Sequence, residues 1–168
     1  MDDLQRLVAI EDIRQLKARY FRCLDTKDLD GLSRVFAPDA VFDLREVDSV
    51  RHPLTGVWTP PFGDESAVYR GHAEVLTMIR DAVSHRVTVH HGHMSEIDVT
   101  GENTARAIWA MEDVVLNAPG DAAFCIRGTG HYHDDYARLP GGWAIVATRI
   151  TRLSVERGPE RVEIPAEG

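Results

Sequence analysis

Four ionisable residues of this 168-residue chain lie in apolar stretches of sequence, where a polar side chain is costly unless it has a partner or a function. They are Tyr20 and Asp25 in KARYFRCLD, His90 in TVHHGHMSEI and Asp113 in WAMED. A phenol, two carboxylates and an imidazole can move protons without a cofactor, because burial and neighbouring charges tune their pKa values toward neutral pH. The sequence therefore predicts acid–base chemistry on a small molecule.

A long amphipathic helix is predicted to carry the first two of these residues. Apolar side chains recur at three- and four-residue steps from Leu4 to Leu24, and Tyr20 lies on their stripe. Tyr20 is therefore expected to point inward; the alternative is a core tyrosine with one satisfied hydrogen bond. Asp25 follows five residues later, so both can reach one pocket only if the helix ends or turns near Leu24. Otherwise Asp25 is a helix-terminal or capping residue.

His90 and Asp113 are predicted to face inward from two β-strands. Asp113 shares strand parity with Trp109 and Met111, two large apolar residues. An aspartate on that face is costly unless it holds an imidazolium, so we expect Asp113, in preference to Asp25, to pair with His90.

The closing strand carries two candidate arginines. Arg149 shares parity with Trp143 and Ile145, whereas Arg152 lies on the opposite face unless a β-bulge intervenes. For either residue the alternative is a surface salt bridge.

Histidine pairs offer a metal site as an alternative. His91 with His93, and His131 with His133, have a strand spacing that permits chelation, and Glu96 could supply an oxygen ligand. A catalytic metal site needs three or more converging ligands, so polar sheet residues or contacts between subunits are the preferred interpretation, and no metal is predicted.

The rest of the pattern predicts an α+β fold in which N-terminal helices pack on a curved, mainly antiparallel sheet. Asp28 is expected to cap a second helix that runs through Leu32, Val35 and Phe36 before Pro38. Gly71 opens a third helix. The predicted strands are 41–44, 87–99, 105–116, 122–139 and 143–155.

A proline-rich loop at residues 45–69, with one short strand near 54–58, is a candidate lid. We expect one domain over residues 1–156 and a C-terminal tail over residues 157–168.

Composition limits the classes of binding partner that we expect. A net charge of −8 argues against nucleic acid and anionic membranes, and no segment has the length or pattern of a membrane span or signal peptide. Two distant cysteines, Cys23 and Cys125, do not indicate a disulfide framework. We therefore expect a cytoplasmic protein with a neutral or hydrophobic small-molecule partner.

The run IEDIRQLKARYFRCLDTKDLDGLSRVFAPDAVF, followed by VHHGHMSEI, RAIWAMED and the GHYHDDYARLPGGW hairpin, resembles the SnoaL-like branch of the nuclear transport factor 2-like superfamily over nearly the whole chain. Within it the chain is most similar to bile-acid 7α-dehydratases, and more distantly to scytalone dehydratases and lindane dehydrochlorinases. The resemblance implies a cone-shaped α+β barrel with a deep apolar pocket, no metal, and frequent assembly into trimers.

Position by position, the resemblance implies catalytic roles for Tyr20, Asp25, His90, Asp113 and Arg152. It implies a cofactor-independent dehydratase for a hydrophobic cyclic hydroxy-carbonyl compound, steroid-like or polyketide-like. The alternatives are an isomerase of a similar ketone, or a non-catalytic protein that binds hydrophobic ligands or resembles an oxygenase small subunit. Substrate contacts are expected from Trp109, Met111, His93, Phe42 and Trp58.

Overall fold

The structure, a computed structural model, describes residues 1–59, 62–118 and 125–158. Helices and short strands come first along the chain, and four long strands follow. The elements are α1 (Asp3–Thr26), α2 (Leu29–Ser33), β1 (Phe36–Asp43), β2 (Val50–Arg51), β3 (Trp58–Thr59), a 3-10 turn (Glu65–Ala67), β4 (Val68–Arg70), α3 (His72–Val83), β5 (Arg86–Val99), β6 (Thr104–Asn117), β7 (Cys125–Leu139) and β8 (Gly142–Gly158).

The sheet is built around the antiparallel meander β5 to β8. In the described residues its strand order is β3-β2-β8-β7-β6-β5, and β1 joins it by pairing parallel with β8 and antiparallel with β4. The helices bury their apolar sides against one face of this sheet. The predicted α+β class, with helices on a mainly antiparallel curved sheet, is confirmed. None of the described helices is both long and apolar enough to cross a membrane.

Helix α1 has defined ends. At its start the Asp2 carboxylate accepts a hydrogen bond from the Gln5 backbone N–H (2.7 Å), and the Gln5 side chain accepts one from the Asp2 backbone N–H (3.0 Å). At its end Lys27 adopts a left-handed conformation, with φ of 61°. The helix therefore ends at Thr26, one residue after Asp25. Its inward stripe includes Ile13, Leu16, Lys17, Tyr20 and Leu24.

The second helix is shorter than predicted. Asp28 caps it as expected, accepting from a backbone N–H three residues later at 2.8 Å. The helix ends at Ser33, and the Val35 carbonyl accepts a hydrogen bond from the Ile145 backbone N–H (2.9 Å). Val35 and Phe36 are buried because they enter the sheet, and not because they continue a helical face.

The segment predicted as a loop holds more structure than expected. Two short strands, β2 and β3, pair with each other, and Val50 of β2 pairs with Arg152 of β8. The short strand expected at 54–58 lies at Trp58–Thr59, while Leu54 is 91% exposed. Residues 60–61, the strand positions 122–124, and residues 159–168 of the predicted tail lie outside the described residues.

Candidate active site

The His90 imidazole and the Asp25 carboxylate form a close pair where the end of α1 meets β5. His90 Nδ1 lies 2.6 Å from Asp25 Oδ1, and the His90 backbone N–H donates to Asp25 Oδ2 at 2.9 Å. The two contacts fix the carboxylate against both the ring and the backbone of one residue. Because Asp25 holds Nδ1, the opposite ring nitrogen Nε2 is the one that can accept a proton from a bound molecule.

A chain of donors supports this carboxylate. Lys27 Nζ donates to Thr88 Oγ1 (2.6 Å), and Thr88 Oγ1 donates to Asp25 Oδ1 (2.9 Å). Burial opposes ionisation of Asp25, but the hydrogen bonds from His90 and Thr88 outweigh it and lower the pKa of the carboxyl. Asp25 is thus held as an anion beside the imidazole.

His90 opens onto a groove with a volume of about 580 Å³ between α1 and the β5–β6 edge of the sheet. Phe21 and Trp109 give the groove apolar walls, and His93 lies at its rim. The helix comes close to the strand here because Gly92 has no side chain: a Cβ on Gly92 would lie 2.4 Å from the Phe21 ring. The surface of the groove is therefore mainly apolar, with imidazoles and the basic side chains of Arg14 and Lys17 in its wall, which suits a hydrophobic ligand that carries a polar group.

Asp113 does not pair with His90, so the expected pairing is wrong. Its carboxylate is held by the Arg152 guanidinium in two hydrogen bonds, from Nη1 at 2.9 Å and Nη2 at 2.7 Å. Both side chains are 5% exposed. Gly128 makes room for the pair, since a Cβ there would lie within 2.5 Å of both side chains. A planar guanidinium matches both oxygens of a carboxylate, which an imidazole cannot do.

Arg152 reaches the interior through a bulge. In the β7–β8 ladder Tyr136 pairs with Ile145 and Asp135 with Ala147, which leaves Val146 as an extra residue. The extra residue reverses the parity beyond it, so Arg152 is buried. Arg149, favoured by parity with Ile145, instead pairs with Glu46 at 2.8 Å and is partly exposed.

Tyr20 lies deeper than the groove, with 2% of its surface exposed. Its ring packs edge-on against Tyr132 and Phe36, with centroid distances of 6.0 and 5.9 Å. Burial raises the pKa of Tyr20 well above its ordinary value, and a hydrogen bond with Tyr132 and the charges of Asp134 and Asp113 act in the same direction. Tyr20 is thus a protonated phenol that can donate a hydrogen bond.

A second buried charge pair was not predicted from the sequence. Lys17 Nζ lies 2.7 Å from Asp134 Oδ2, and these two side chains are 1% and 0% exposed. Burial lowers the pKa of Lys17 and outweighs the opposing effect of Asp134. A sequence signal was available: Lys17 lies on the apolar stripe of α1, between Leu16 and Tyr20.

The expected substrate contacts divide into two groups. Trp109 and His93 line the groove. Met111 accepts a hydrogen bond from Arg152 Nη1 on its sulfur at 3.3 Å, whereas Phe42 packs in the core and Trp58 packs against Phe62, 5.2 Å between ring centroids. The last three are not among the residues that line this groove.

The remaining histidines form neighbouring pairs. The ring centroids of His91 and His93 are 6.4 Å apart, and those of His131 and His133 are 6.2 Å apart. Within the described ranges, no three His, Cys, Asp or Glu side chains form a group that could hold a metal ion. Burial lowers the pKa of His133, and the nearby charge of Arg149 adds to this effect.

Comparison with known proteins identifies the family. A family model described as a SnoaL-like domain matches residues 5–149. An uncharacterised protein of Mycobacterium tuberculosis is 27% identical over 137 residues, which cover 80% of this chain and 79% of that protein.

Solved structures share the fold. A hexachlorocyclohexane dehydrochlorinase from Novosphingobium barchaimii superposes with a TM-score of 0.70 at 16% identity, covering 94% of each chain. A protein from Novosphingobium aromaticivorans provisionally named as a scytalone dehydratase gives 0.69 at 16% identity, covering 94% of this chain and 92% of its own. Another from the same organism, provisionally named as an aromatic ring hydroxylase, gives 0.73 at 19% identity, covering 90% and 94%. At these identities the likeness establishes the fold.

Proposed function

The chain belongs to the SnoaL-like domain family, and from that premise we propose that it is a cofactor-independent lyase. Its substrate is a hydrophobic cyclic compound, steroid-like or polyketide-like, that carries a carbonyl and a hydroxyl group. The reaction removes water and leaves a conjugated enone. Among its structural neighbours, one named as a dehydrochlorinase and one provisionally named as a dehydratase support an elimination reaction.

The observation that carries the proposal is the 2.6 Å contact between His90 Nδ1 and Asp25 Oδ1 beside an apolar groove. In the proposed reaction His90 Nε2 removes the acidic C–H proton next to the carbonyl. Asp25 fixes the tautomer and stabilises the imidazolium as it forms. The imidazolium then returns this proton to the leaving hydroxyl, which departs as water.

Tyr20 is the proposed hydrogen-bond donor to the carbonyl oxygen as negative charge develops there, which requires that end of the substrate to reach past the groove to the buried phenol. Its raised pKa keeps the phenol protonated, which suits a donor. Asp113 and Arg152 are proposed to act on this site electrostatically. Their ion pair is buried in the same interior as Tyr20 and Tyr132, and the charge of Asp113 influences both phenols.

The test is a screen of cyclic hydroxy ketones for new enone absorbance, with product masses measured in parallel. We expect at least one steroid-like or polyketide-like compound to lose the mass of water. The His90→Gln variant should turn over about 100-fold more slowly, or worse, while thermal unfolding shows that it is folded. Full activity in a folded His90→Gln protein would remove His90 from the mechanism.

The same screen separates the alternatives. An isomerase would give a product of unchanged mass. A non-catalytic binder predicts that the His90–Asp113 pairing is missing, and it is missing, but Asp25 supplies the carboxylate that the imidazole needs. Saturable binding of these ketones without any product would therefore favour the binding protein.

We also propose that the chain acts as a homotrimer in the cytoplasm. The trimer follows from the family resemblance, and sedimentation analysis at several concentrations tests it. A monomer or dimer at all concentrations would contradict the proposal, and cell fractionation tests the compartment.

A further inference from the structure

An ammonium group in the interior has more donors than partners. Lys17 Nζ lies at ion-pair distance from Asp134, yet it makes no well-oriented hydrogen bond. Its other neighbours are aromatic faces: the Tyr132, Tyr20 and Phe21 ring centroids lie 3.8, 4.6 and 5.2 Å away. An ammonium carries three N–H donors, and leaving buried donors unused is costly.

Asp134 is already occupied by other donors. It accepts hydrogen bonds from the Tyr136 hydroxyl at 2.7 Å and from Thr148 Oγ1 at 2.5 Å. The Tyr136 oxygen in turn accepts from Trp109 Nε1 at 3.1 Å. The carboxylate thus anchors the ammonium without using all of its donors, and the network fixes both groups in place.

Lys17 is also at the groove. It lines the same groove as His90 and Trp109, although only 1% of its side chain is exposed to solvent. The chain contains two lysines among 19 basic residues, Lys17 and Lys27, and Lys27 supports the Asp25 carboxylate through Thr88.

We propose that Lys17 is a further catalytic residue, whose free ammonium N–H donors bind the substrate's carbonyl oxygen inside the groove. The proposal rests on the proposed lyase function and adds a second, charged donor for the oxygen that Tyr20 is proposed to contact. A charged donor in a site shielded from water stabilises developing negative charge more than a neutral one does.

In the proposed step Lys17 stabilises the enolate oxygen. His90 Nε2 takes the proton, the C–H electrons form a carbon–carbon double bond, and the carbonyl electrons move onto oxygen, where Lys17 holds the enolate. The carbonyl then re-forms, and the electrons of the enolate's carbon–carbon double bond move to form the double bond of the enone. The carbon–oxygen bond to the hydroxyl breaks at the same time, and His90 returns its proton to this leaving group, which departs as water. Lys17 keeps its proton throughout.

The decisive comparison is between the wild type and the double variant Lys17→Met/Asp134→Asn. The double variant lacks both buried charges, keeps His90, and keeps an acceptor for the Tyr136 and Thr148 hydroxyls. It avoids leaving either Lys17 or Asp134 as an unpaired buried charge, as the single variants would. Thermal unfolding of both proteins checks that they are folded.

Two measurements are made on this pair. The first is turnover of a hydroxy ketone from the screen, where we expect kcat to fall about 100-fold in the double variant relative to the wild type. The second needs no turnover: 4-nitrophenol is bound and its phenolate absorbance is read. We expect the ratio of bound phenolate to phenol to fall about tenfold when Lys17 is replaced.

The two measurements separate the two proposals. A phenolate ratio that depends on Lys17, in a protein that dehydrates no ketone, would support the oxyanion site and reject the lyase. Equal kcat values and equal phenolate ratios in the wild type and the double variant would overturn the role of Lys17 while leaving a His90-dependent lyase intact. Absence of bound phenolate in the wild-type protein would also overturn it.

Discussion

Asp25 at the end of α1 and Asp113 on β6 lie on the same side of the sheet and are held in different ways. Asp113 faces a guanidinium that stays charged at every accessible pH, and both partners are 5% exposed. Asp25 faces an imidazole, a group that can act as acid or base, and its side chain is 24% exposed. Burial alone therefore does not distinguish the carboxylate that we propose to be catalytic. The partner's ability to change charge marks it.

The largest effect is expected from breaking the fixed pair. Asp113→Ala leaves Arg152 as an uncompensated buried charge, so we expect the free energy of unfolding to fall by about 3–5 kcal/mol in a denaturant titration. Asp98→Ala is the control, because Asp98 forms an exposed ion pair with Arg6 and its loss should have no measurable effect. Similar losses in the two variants would show that the Asp113 pair is not structural.

Asp25→Asn should lower turnover in a protein that stays folded. Its amide cannot stabilise an imidazolium as a carboxylate does, so we expect kcat to fall about 100-fold, which equals about 2.7 kcal/mol of barrier. Exposed Asp39→Asn, on β1, serves as the matched control and should keep full turnover. Unchanged kcat in a folded Asp25→Asn protein would mean that His90 does not need the carboxylate.

The stability supplied by Asp25 should depend on pH in a defined direction. The folded-state pKa of Asp25 lies below the ordinary value of 3.8, so its contribution is complete above pH 3.8 and disappears as the pH falls through the lower, folded value. We expect the unfolding free energies of the wild type and Asp25→Asn to converge below pH 3.8. A constant gap down to the acid limit would contradict the lowered pKa.

The smallest effect is expected at Thr88, which joins Lys27 to Asp25. Thr88→Val removes one donor to the carboxylate and one acceptor for the ammonium, so we expect a loss of about 1 kcal/mol in unfolding free energy. Turnover should fall less than in Asp25→Asn. Thr129→Val is the control, because Thr129 makes an exposed hydrogen bond with Ser154. An equal loss of unfolding free energy in the control would show that the Thr88 hydrogen bonds add no specific stability.

Much of the fold follows from local pattern. The stripe from Leu4 to Leu24 predicts α1, which spans Asp3–Thr26, and alternation predicts the meander that β5 to β8 form. The inward faces of His90 and Asp113 were also predictable, because these residues lie in regular stretches that pair directly with each other across β5 and β6.

The partners within the interior were not predictable. Strand parity places Asp113 beside His90. Parity does not show that Arg152, on β8 two strands away, forms the hydrogen bonds to Asp113 in place of the imidazole. The route of Arg152 depends on the extra residue Val146, and no local propensity marks that position. Lys17 was overlooked for a different reason: a lysine on an apolar stripe is usually taken to extend to solvent, and this one is buried.

The bulge at Val146 also bears on how the chain can vary in length. If this residue were deleted, Ile145 would be followed directly by Ala147, and the pairs Tyr136 with Ile145 and Asp135 with Ala147 would stand in an unbroken ladder. Arg152 would still lie on the inward face. A relative one residue shorter at this point can therefore keep the same interior, and its alignment gap belongs inside the strand, away from the turns.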